Sequence, residues 1–367
     1  MKIQKLELLK FRLPLIRPFR TSFGTQTEKE AIIVRVKGKD TAGYGECVAG
    51  SDPSYSPETT VTAWHIIRDY LAPLLIESEP AHPSGVSELF SDVRGNPMAK
   101  AALEMACWDL YSRQEGLSLS TALGGERKAV NSGISIGIQE DLSSLLDIIS
   151  RSLEIGYPRI KIKIEPGWDI GVVEEVRKEF PRITLMVDAN AAYGMKQLDR
   201  LTQLDQYNLL MIEQPFGYDD FVNHATLQKQ IETPLCLDES VHSYHDAEQA
   251  IELNSCRVIN IKPGRVGGFS ESKRIAELAE RHEVRVWCGG MLETGIGRAH
   301  NVALASLPNF QLPNDISENR RFFTEDITEP TFRLNEQFQI TVPSGTGMGV
   351  EVREDFLAER TMERLTI

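Results

Sequence analysis

Short apolar runs alternate with longer amphipathic segments over most of the chain after about residue 125. Each apolar run is too short to be a helix and is rich in β-branched residues, which favours a buried strand. The runs recur about every 25 residues, which is the length of one strand–loop–helix–loop unit in a parallel barrel. The pattern therefore predicts a (β/α)8 barrel. The eight runs are Gly133–Ile138, Arg159–Ile164, Thr184–Ala189, Leu209–Glu213, Pro234–Asp238, Val258–Lys262, Val284–Cys288 and Phe310–Ile316.

The first part of the chain has a different pattern. Lys2–Pro14 and Ala31–Lys37 alternate apolar and polar positions as strands do. The uneven polar stretch 17–29 between them predicts a mobile loop. Helical periodicity follows at Thr59–Ile76 and Met98–Gln114. Strands followed by helices predict an α+β domain.

The chain of 367 residues has room for a barrel of roughly 250 residues and a second domain of about 100. We expect residues 1–125 to form the α+β domain and residues 126–325 to form the barrel. The remainder, 326–367, loses the strand–helix alternation and contains the glycine-rich VPSGTGMGV. We expect this tail to leave the barrel and pack on the first domain.

Composition excludes several classes of partner. The net charge of −13 argues against nucleic acid or an anionic membrane surface as a partner, because both require basic patches. It allows an anionic substrate, since a bound divalent cation inverts the local field. The sequence shows no apolar run of about 18 residues and no secretory signal. The five cysteines are scattered and form no CxxC pair, which indicates reduced thiols in a cytoplasmic protein.

Charged residues mark the carboxyl ends of five consecutive predicted strands. In the second run, Lys161 and Lys163 alternate with isoleucines, so both lysines lie on one face of the strand. The next four runs carry Asp188, Glu213, Asp238 and Lys262 at their last or next-to-last position. The carboxyl ends of barrel strands meet at one mouth, where active sites form. The sequence therefore predicts three convergent carboxylates, flanked by lysines from opposite sides of the barrel.

This arrangement is typical of metal-assisted proton abstraction. Three convergent carboxylates ionise together only when a cation compensates them. Oxygen ligands favour Mg²⁺, for which Mn²⁺ can substitute. A substrate carboxylate bound there would have its enolate form stabilised. Lys163 and Lys262 would then move protons on the two faces of the α-carbon. We expect the adjacent cations Lys161 and Arg265 to lower the pKa values of these two bases.

Each charged residue also has an ordinary structural interpretation. A single acidic residue at a strand end is usually a turn former or a helix cap, and Asp238-Glu239-Ser240 is a good N-cap sequence. The order of charges over five strand ends is what favours an active site. The sequence has no GxSxG, P-loop or HExxH motif. Gly289–Gly297 is interpreted as a seventh loop that shapes the pocket, and Glu46-Cys47 as part of a loop near the mouth.

The chain resembles the enolase superfamily, in its muconate-lactonizing-enzyme-like subgroup, over nearly its whole length. It is most similar to the family of o-succinylbenzoate synthases that also act as N-succinylamino acid (N-acylamino acid) racemases. The segments that carry this likeness are PFRTSFGTQ (18–26), YGECVA (44–49), RIKIKIEPGWD (159–169), VDANAAY (187–193), LDES (237–240), NIKPGRVGG (260–268), WCGGMLETGIGRAHNVALASLPNF (287–310) and DITEP (326–330).

The resemblance implies a modified (β/α)8 TIM barrel, closed by an α+β capping domain that the tail rejoins. It implies one Mg²⁺ and two bases, Lys163 and Lys262, with Lys161 as a cation near the substrate carboxylate. The implied metal ligands are Asp188, Glu213 and Asp238, supported by Asn190, Glu239 and Arg265. The implied substrate contacts are Ser135, Gly290 and Met291 at the acyl end and Phe19 from the cap.

Two segments depart from the family pattern and leave the substrate open. They are VAGSDPSYSPE (48–58) and NDISENRRFF (314–323). A dipeptide epimerase or a muconate cycloisomerase of the same subgroup is the alternative enzyme. Epimerases of this kind carry an Asp-x-Asp that residues 290–293 lack. A non-catalytic barrel that binds a metabolite is the remaining alternative, although such a protein would have lost a lysine or a carboxylate. We expect a small-molecule carboxylate substrate and a homo-oligomer.

Overall fold

The amino-terminal strands form one antiparallel sheet in this computed structural model, which describes residues 1–367. The strands of this sheet are β1 (Lys5–Thr21), β2 (Gly24–Lys37), β3 (Ala42–Cys47) and β15 (Thr361–Thr366). They pair in the order β15-β1-β2-β3, so the carboxyl-terminal strand completes the amino-terminal sheet.

A β-hairpin replaces the loop predicted at residues 17–29. Phe19 pairs with Gln26 and Thr21 pairs with Gly24, so β1 and β2 continue almost to the turn. Gly24, at φ +153°, has a backbone conformation that side chains rarely adopt. The loop prediction was wrong because this end of the hairpin is mostly exposed and polar, so it lacks the apolar alternation that marks a strand.

The two helices predicted in the first domain are present. The first corresponds to α1 (Thr60–Ile66) and α2 (Ala72–Ser78), joined by a π-helical turn at Ile67–Leu71, and the second corresponds to α4 (Pro97–Gln114). Close packing of α4 on β3 depends on Gly43 and Gly45, where an added Cβ would lie 2.2 and 1.9 Å from helix carbonyl oxygens. The helices are α1 (Thr60–Ile66), α2 (Ala72–Ser78), α3 (Gly85–Leu89), α4 (Pro97–Gln114) and α5 (Leu119–Leu123).

Seven parallel strands follow, and their order in the sheet is their order along the chain. They are β5 (Gly133–Ile136), β6 (Arg159–Lys163), β7 (Thr184–Asp188), β8 (Ile212–Glu213), β9 (Leu235–Leu237), β10 (Val258–Ile261) and β11 (Arg285–Cys288). The helices between and after them are α6 (Leu142–Ile155), α7 (Ile170–Glu179), α8 (Leu198–Thr202), α9 (Phe221–Gln228), α10 (Tyr244–Glu252), α11 (Pro263–Val266), α12 (Phe269–Arg281) and α13 (Gly295–Ala305). Short 3₁₀ turns lie at Met195–Gln197, Gln203–Tyr207 and Asn319–Arg321.

The eighth predicted strand is irregular. Phe310 makes a single parallel bridge to Val286, and Asn314 makes one to Ser132. Pro313 has no N–H to donate, so a regular ladder is interrupted at this point. The segment nevertheless joins β11 to β5, because the carbonyl of Asn314 accepts a hydrogen bond from Gly133 N at 2.6 Å. The fold is therefore a modified (β/α)8 barrel, closed by a non-regular eighth element.

The remaining elements connect the barrel to the amino-terminal sheet. One short strand before the barrel pairs with a strand of the tail, and two further tail strands pair with each other. No helix combines the length and apolarity required to cross a membrane. These elements are β4 (Ala129–Asn131), β12 (Thr328–Glu329), β13 (Gln339–Thr341), β14 (Glu351–Val352) and α14 (Glu354–Arg360).

Gly133 opens β5 where the guanidinium of Arg159 fills the barrel interior. A Cβ on Gly133 would lie 2.2 Å from Arg159 Cζ, and Arg159 is fully buried and cannot swing into solvent. We expect Gly133→Ala to lower the free energy of unfolding by about 1–3 kcal/mol, measured by chemical denaturation. Gly171→Ala is the control, because its added Cβ meets nothing within 4 Å. An equal loss in both variants would contradict this steric account.

Candidate active site

Three cations project into the barrel from one face of β6. Arg159, Lys161 and Lys163 occupy alternate positions of the strand, and all three are buried. Alternation along a strand places them on the same side, with the intervening isoleucines on the other. The barrel interior at this point is therefore strongly cationic, and it is balanced by carboxylates from neighbouring strands.

Lys161 is held by three carboxylates at once. Its Nζ lies 2.6 Å from Asp315 Oδ2, 2.9 Å from Glu213 Oε2 and 3.1 Å from Asp188 Oδ2. Burial lowers the pKa of Lys161, but the charges of these carboxylates outweigh burial and raise the pKa above its ordinary value. Lys161 is therefore a fixed cation, which suits it to stabilise negative charge.

Lys163 has a single acidic partner. Its Nζ donates to Asp188 Oδ2 at 2.6 Å, and its side chain is 8% exposed. Burial raises the pKa of Asp188, but Lys163 and Lys161 lower it more, so the carboxyl is ionised. Because Lys163 is less constrained than Lys161, it has more freedom to exchange a proton with a ligand in the cavity.

Lys262 approaches from the opposite side of the barrel. Strands β6 and β10 are separated by three strands in the sheet, and Lys262 directly follows β10. Its Nζ donates to Asp238 Oδ2 at 2.8 Å and to the Tyr55 hydroxyl at 2.9 Å. The Tyr55 ring also lies under the ammonium group, with 5.0 Å from Nζ to the ring centroid. Residues far apart in the chain therefore position this lysine.

The expectation that the pKa of Lys262 is lowered by Arg265 was wrong. Arg265 Nη1 bonds to Asp238 Oδ1, and its other nitrogens donate to the carbonyls of Val241 and Asn260. It therefore neutralises the carboxylate that Lys262 also uses. Burial lowers the pKa of Lys262, but the net direction is upward because Tyr55 and the nearby carboxylates outweigh it.

The expectation that Lys161 lowers the pKa of Lys163 stays a prediction. The three carboxylates around Lys161 compensate its charge locally. The nearest charge to Lys163 is the carboxylate of Asp188, at 2.6 Å. Neighbouring cations are visible along the chain, whereas the acidic groups that other strands bring close to them are not.

The three predicted metal ligands are buried at the carboxyl ends of neighbouring strands. Asp188 ends β7, Glu213 ends β8 and Asp238 follows β9. Burial and the like charge of Asp188 raise the pKa of Glu213, which places these two carboxyls near each other. No group of three His, Cys, Asp or Glu side chains is spaced to hold a metal ion here, and lysine and arginine nitrogens bridge the carboxylates instead.

The donor set nevertheless fits a divalent cation. Asn190 Nδ2 donates to Glu239 Oε1 at 2.7 Å, which links the loops that follow β7 and β9. The second oxygens, Asn190 Oδ1 and Glu239 Oε2, are buried and have no hydrogen-bond partner. Buried oxygens of this kind are costly unless something compensates them. Hard oxygen donors among buried carboxylates suit Mg²⁺ better than a softer ion.

The lysines open on a cavity of about 280 Å³ between the barrel mouth and the amino-terminal domain. The four residues expected to contact substrate, Phe19, Ser135, Gly290 and Met291, all line it. Lys161, Lys163, Lys262 and Asn190 line it as well. Behind these lining residues lie the three carboxylates at the strand ends, together with Glu239 and Arg265. The cavity therefore presents the lysine ammonium groups to a ligand, and the three predicted metal ligands lie behind them.

Comparison with known proteins assigns the family. Residues 6–124 match the mandelate racemase / muconate lactonizing enzyme N-terminal domain, and residues 145–356 match the enolase C-terminal domain-like model. The chain belongs to the enolase superfamily. Members of this superfamily use a divalent metal ion, typically Mg²⁺. The first matched domain contains strands β1 to β3 and helices α1 to α5, and the second contains most of the barrel.

Similar full-length proteins carry two enzyme names. The chain is 48% identical to o-succinylbenzoate synthase of Geobacillus stearothermophilus, over 99% of this chain and 96% of that protein. It is 45% identical to N-succinylamino acid racemase of an Amycolatopsis species, over the whole of both chains. The crystal structure of an enolase superfamily member from Listeria innocua superposes with a TM-score of 0.97 at 46% identity, covering 100% of this chain and 99% of that one.

Two further residues of this chain lie at the site but were not predicted from the sequence. Asp315 lies in the irregular eighth element, and Tyr55 lies in a cap loop without periodicity. Both line the cavity. Asp315 could have been found, because it is a charge at the end of the eighth apolar run and so follows the rule used for the other strands. Tyr55 had no such signal, since a tyrosine in a loop indicates nothing about its distant partner.

Glu46 was placed wrongly in the sequence interpretation. It lies in β3, is fully buried, and accepts hydrogen bonds from Thr294 N at 3.1 Å and Thr294 Oγ1 at 2.6 Å. Gly297 N donates to the same carboxylate at 3.1 Å. Glu46 therefore anchors the start of α13 to the cap. The loop near the mouth begins after it, at Val48 and Gly50, which line the cavity.

Proposed function

We propose that this enzyme abstracts the proton α to a substrate carboxylate and acts as an o-succinylbenzoate synthase, an N-succinylamino acid racemase, or both. The observation that carries the proposal is the placement of Lys163 and Lys262 on opposite sides of one cavity. Each is bonded to a different strand-end carboxylate. Full-length relatives with these two names, at 45–48% identity, support the same reaction class.

In the proposed racemase reaction, the two lysines act on opposite faces of the α-carbon. One lysine accepts the α-proton, and the other donates a proton to the opposite face of the enolate. Lys161 stays charged and faces the developing negative charge of the substrate carboxylate. In the proposed dehydration, one lysine accepts the α-proton and then donates a proton to the β-hydroxyl, which leaves as water, while Lys262 mainly stabilises the enolate as a cation. The raised pKa of Lys262 suits this electrostatic role.

We propose Asp188, Glu213 and Asp238 as ligands of one Mg²⁺, for which Mn²⁺ substitutes. Their position at adjacent strand ends and the unpaired buried oxygens of Asn190 and Glu239 support this assignment. When bound, the cation compensates the carboxylates and stabilises the enolate charge of the substrate. Arg265 orients Asp238 through its Oδ1 atom.

The acyl end of the substrate is proposed to lie against Ser135, Gly290 and Met291. These residues come from β5 and the seventh loop, and they line the cavity together. Phe19 covers the cavity from the cap hairpin and packs edge-on against Phe322, with 6.4 Å between ring centroids. The acyl group would then be enclosed between the barrel and the cap.

The alternative of a dipeptide epimerase has less support from the site. Such a substrate carries an ammonium group that needs a free carboxylate. Glu293 is turned back to Met291 N and Asn301 Nδ2, at 2.7 and 2.8 Å. Asp315 is already bonded to Arg159 and Lys161. The muconate cycloisomerase alternative gains no specific observation.

We also propose a cytoplasmic location and a homo-oligomeric state. The five cysteines are free and buried, which fits a reducing compartment. Assembly into homo-oligomers is common among soluble enzymes.

The proposed function is tested with an NMR panel. It contains both enantiomers of several N-succinyl amino acids, the cyclohexadiene substrate of the synthase, and dipeptides for comparison. We expect α-proton exchange or turnover with the first two classes and little with dipeptides. Turnover of dipeptides alone would favour the epimerase, and no turnover of any class would contradict the proposal.

A further inference from the structure

The carboxylate of Asp315 bridges two cations of β6. Oδ1 lies 2.6 Å from Arg159 Nη2, and Oδ2 lies 2.6 Å from Lys161 Nζ. The side chain of Asp315 is 10% exposed, that of Arg159 is 0% exposed and that of Lys161 is 4% exposed. Ion pairs this short and this buried are weakly screened, so they constrain geometry more strongly than surface pairs do. Asp315 is therefore a buried link between the eighth element and the second strand.

The surroundings keep this link in one place. Asp315 N donates to the carbonyl of Cys288 at 2.9 Å, and the Asp315 carbonyl accepts from Arg298 Nη1 at 3.1 Å. The Trp287 ring lies beside both cations, with its centroid 5.4 Å from Arg159 Cζ and 5.0 Å from Lys161 Nζ. The carboxylate cannot move without breaking contacts to two neighbouring elements.

Asp315 adds to the difference between the two lysines of β6. Lys161 and Lys163 lie on the same face of β6, and both bond to Asp188. Only Lys161 has the additional contact to Asp315, which draws its ammonium group toward the eighth element. Without that contact, Lys161 would retain only Asp188 and Glu213 as acidic partners, and these are two of the proposed metal ligands.

We propose that Asp315 is a positioning residue for Lys161. It shares the ammonium group with Asp188 and Glu213, which leaves those carboxylates available to a cation and keeps Lys161 directed at the substrate carboxylate. The inference rests on the proposed function for its catalytic consequence. Its structural consequence, a displaced Lys161 and weaker cation binding when Asp315 is neutral, can be measured separately.

The test begins with Asp315→Asn, which keeps the shape and removes the charge. We expect the Mg²⁺ dissociation constant, measured by calorimetry on metal-free protein, to rise about 10-fold or more, because Lys161 competes for the ligands. We expect kcat for N-succinyl amino acids to fall about 10- to 100-fold, with KM changed by less than about 3-fold. A crystal structure of the variant should show Lys161 Nζ moved toward Asp188 and Glu213.

A double variant removes the ambiguity of net charge. Arg159→Met with Asp315→Asn keeps the charge of the site unchanged and leaves no buried guanidinium without its acidic partner. It also protects the test if the single variant folds poorly. Because Lys161 still loses Asp315, we expect the same weakening of Mg²⁺ binding. A dissociation constant within about 2-fold of wild type in this variant would overturn the proposal, since position and not net charge is claimed to act.

Asp326→Asn is the matched control. Asp326 is also a buried aspartate, but it bonds to Gly295 N, Ile327 N and Asn319 and does not line the cavity. We expect lower stability with unchanged Mg²⁺ affinity and kcat. An equal loss in this control, or an unmoved Lys161 in Asp315→Asn, would overturn the positioning role. A wild-type enzyme inactive on every substrate would refute the proposed function, while Mg²⁺ affinity and the crystal structure would still decide the role of Asp315.

Discussion

Lys163→Ala and Lys262→Ala should each abolish measurable racemisation of N-succinyl amino acids while the fold stays intact. Each lysine faces the cavity from a different side of the barrel. Racemisation requires removal of a proton from one face and delivery to the other, so the loss of either base interrupts it. A general acid or base of this kind typically contributes about 10²- to 10⁴-fold to the rate.

Deuterium exchange distinguishes the two lysines. In each alanine variant, the remaining lysine still reaches one face of the α-carbon. We therefore expect exchange in D₂O to persist for one enantiomer only, and for the opposite enantiomer in the other variant. Proton NMR of the α-position follows the exchange, and polarimetry follows racemisation.

Controls separate loss of the base from loss of the fold. Circular dichroism and the melting temperature should stay close to wild type in both variants. Lys178→Ala is the matched substitution, because this lysine is 75% exposed and lies outside the cavity. It should racemise at the wild-type rate. A near-normal racemase rate in either Lys163→Ala or Lys262→Ala would show that the two-base mechanism is wrong.

The barrel was predictable because its strands are buried on both sides. Such strands are continuous apolar runs, and seven of the eight runs became regular strands. The eighth run did not form a regular strand because of Pro313, whose missing N–H is not considered when apolar residues are counted. The cap hairpin was missed because its pairing depends on backbone hydrogen bonds and its polar side chains carry no periodic pattern.

The proposed catalytic set could be picked out from the sequence because each member occupies the same position in a repeated unit. Lys163, Asp188, Glu213 and Lys262 are separated along the chain, yet each lies at the end of a barrel strand or directly after it. That rule depends only on local sequence and on the closure of the barrel. It identified which residues meet but gave no account of how their charges are compensated.

Charge compensation depends on contacts that no local pattern records. The Tyr55 hydroxyl reaches Lys262 across 207 positions of the chain. Asp315 reaches Lys161 from the irregular eighth element, 154 positions further along the chain than residue 161. Tyr55 helps to raise the pKa of Lys262, for which the neighbouring cation in the sequence had indicated a decrease, and Asp315 helps to raise the pKa of Lys161. The direction in which the pKa values of these lysines shift therefore could not be predicted from the sequence.

Removal of divalent metal should abolish α-proton exchange of N-succinyl amino acids in D₂O. The strand-end carboxylates and Glu239 are buried close together, and like charge with burial raises the pKa values of Glu213 and Glu239. Such a group needs a compensating cation to hold a carboxylate substrate beside it. We expect excess EDTA to reduce exchange to background, with recovery when Mg²⁺ is restored and partial or full recovery with Mn²⁺.

A pair of glutamate variants assigns this effect to the proposed site. Glu213→Gln should weaken Mg²⁺ binding in a calorimetric titration by about 10-fold or more, because a ligand charge is lost. Glu104→Gln is the matched buried control, since Glu104 bonds to Phe269 N and Ser270 N at the cap–barrel interface and does not line the cavity. It should lower stability by about 1–3 kcal/mol and leave Mg²⁺ affinity unchanged. Undiminished exchange in excess EDTA would remove the metal from the mechanism, whereas equal Mg²⁺ affinity in both variants would move the metal away from β8.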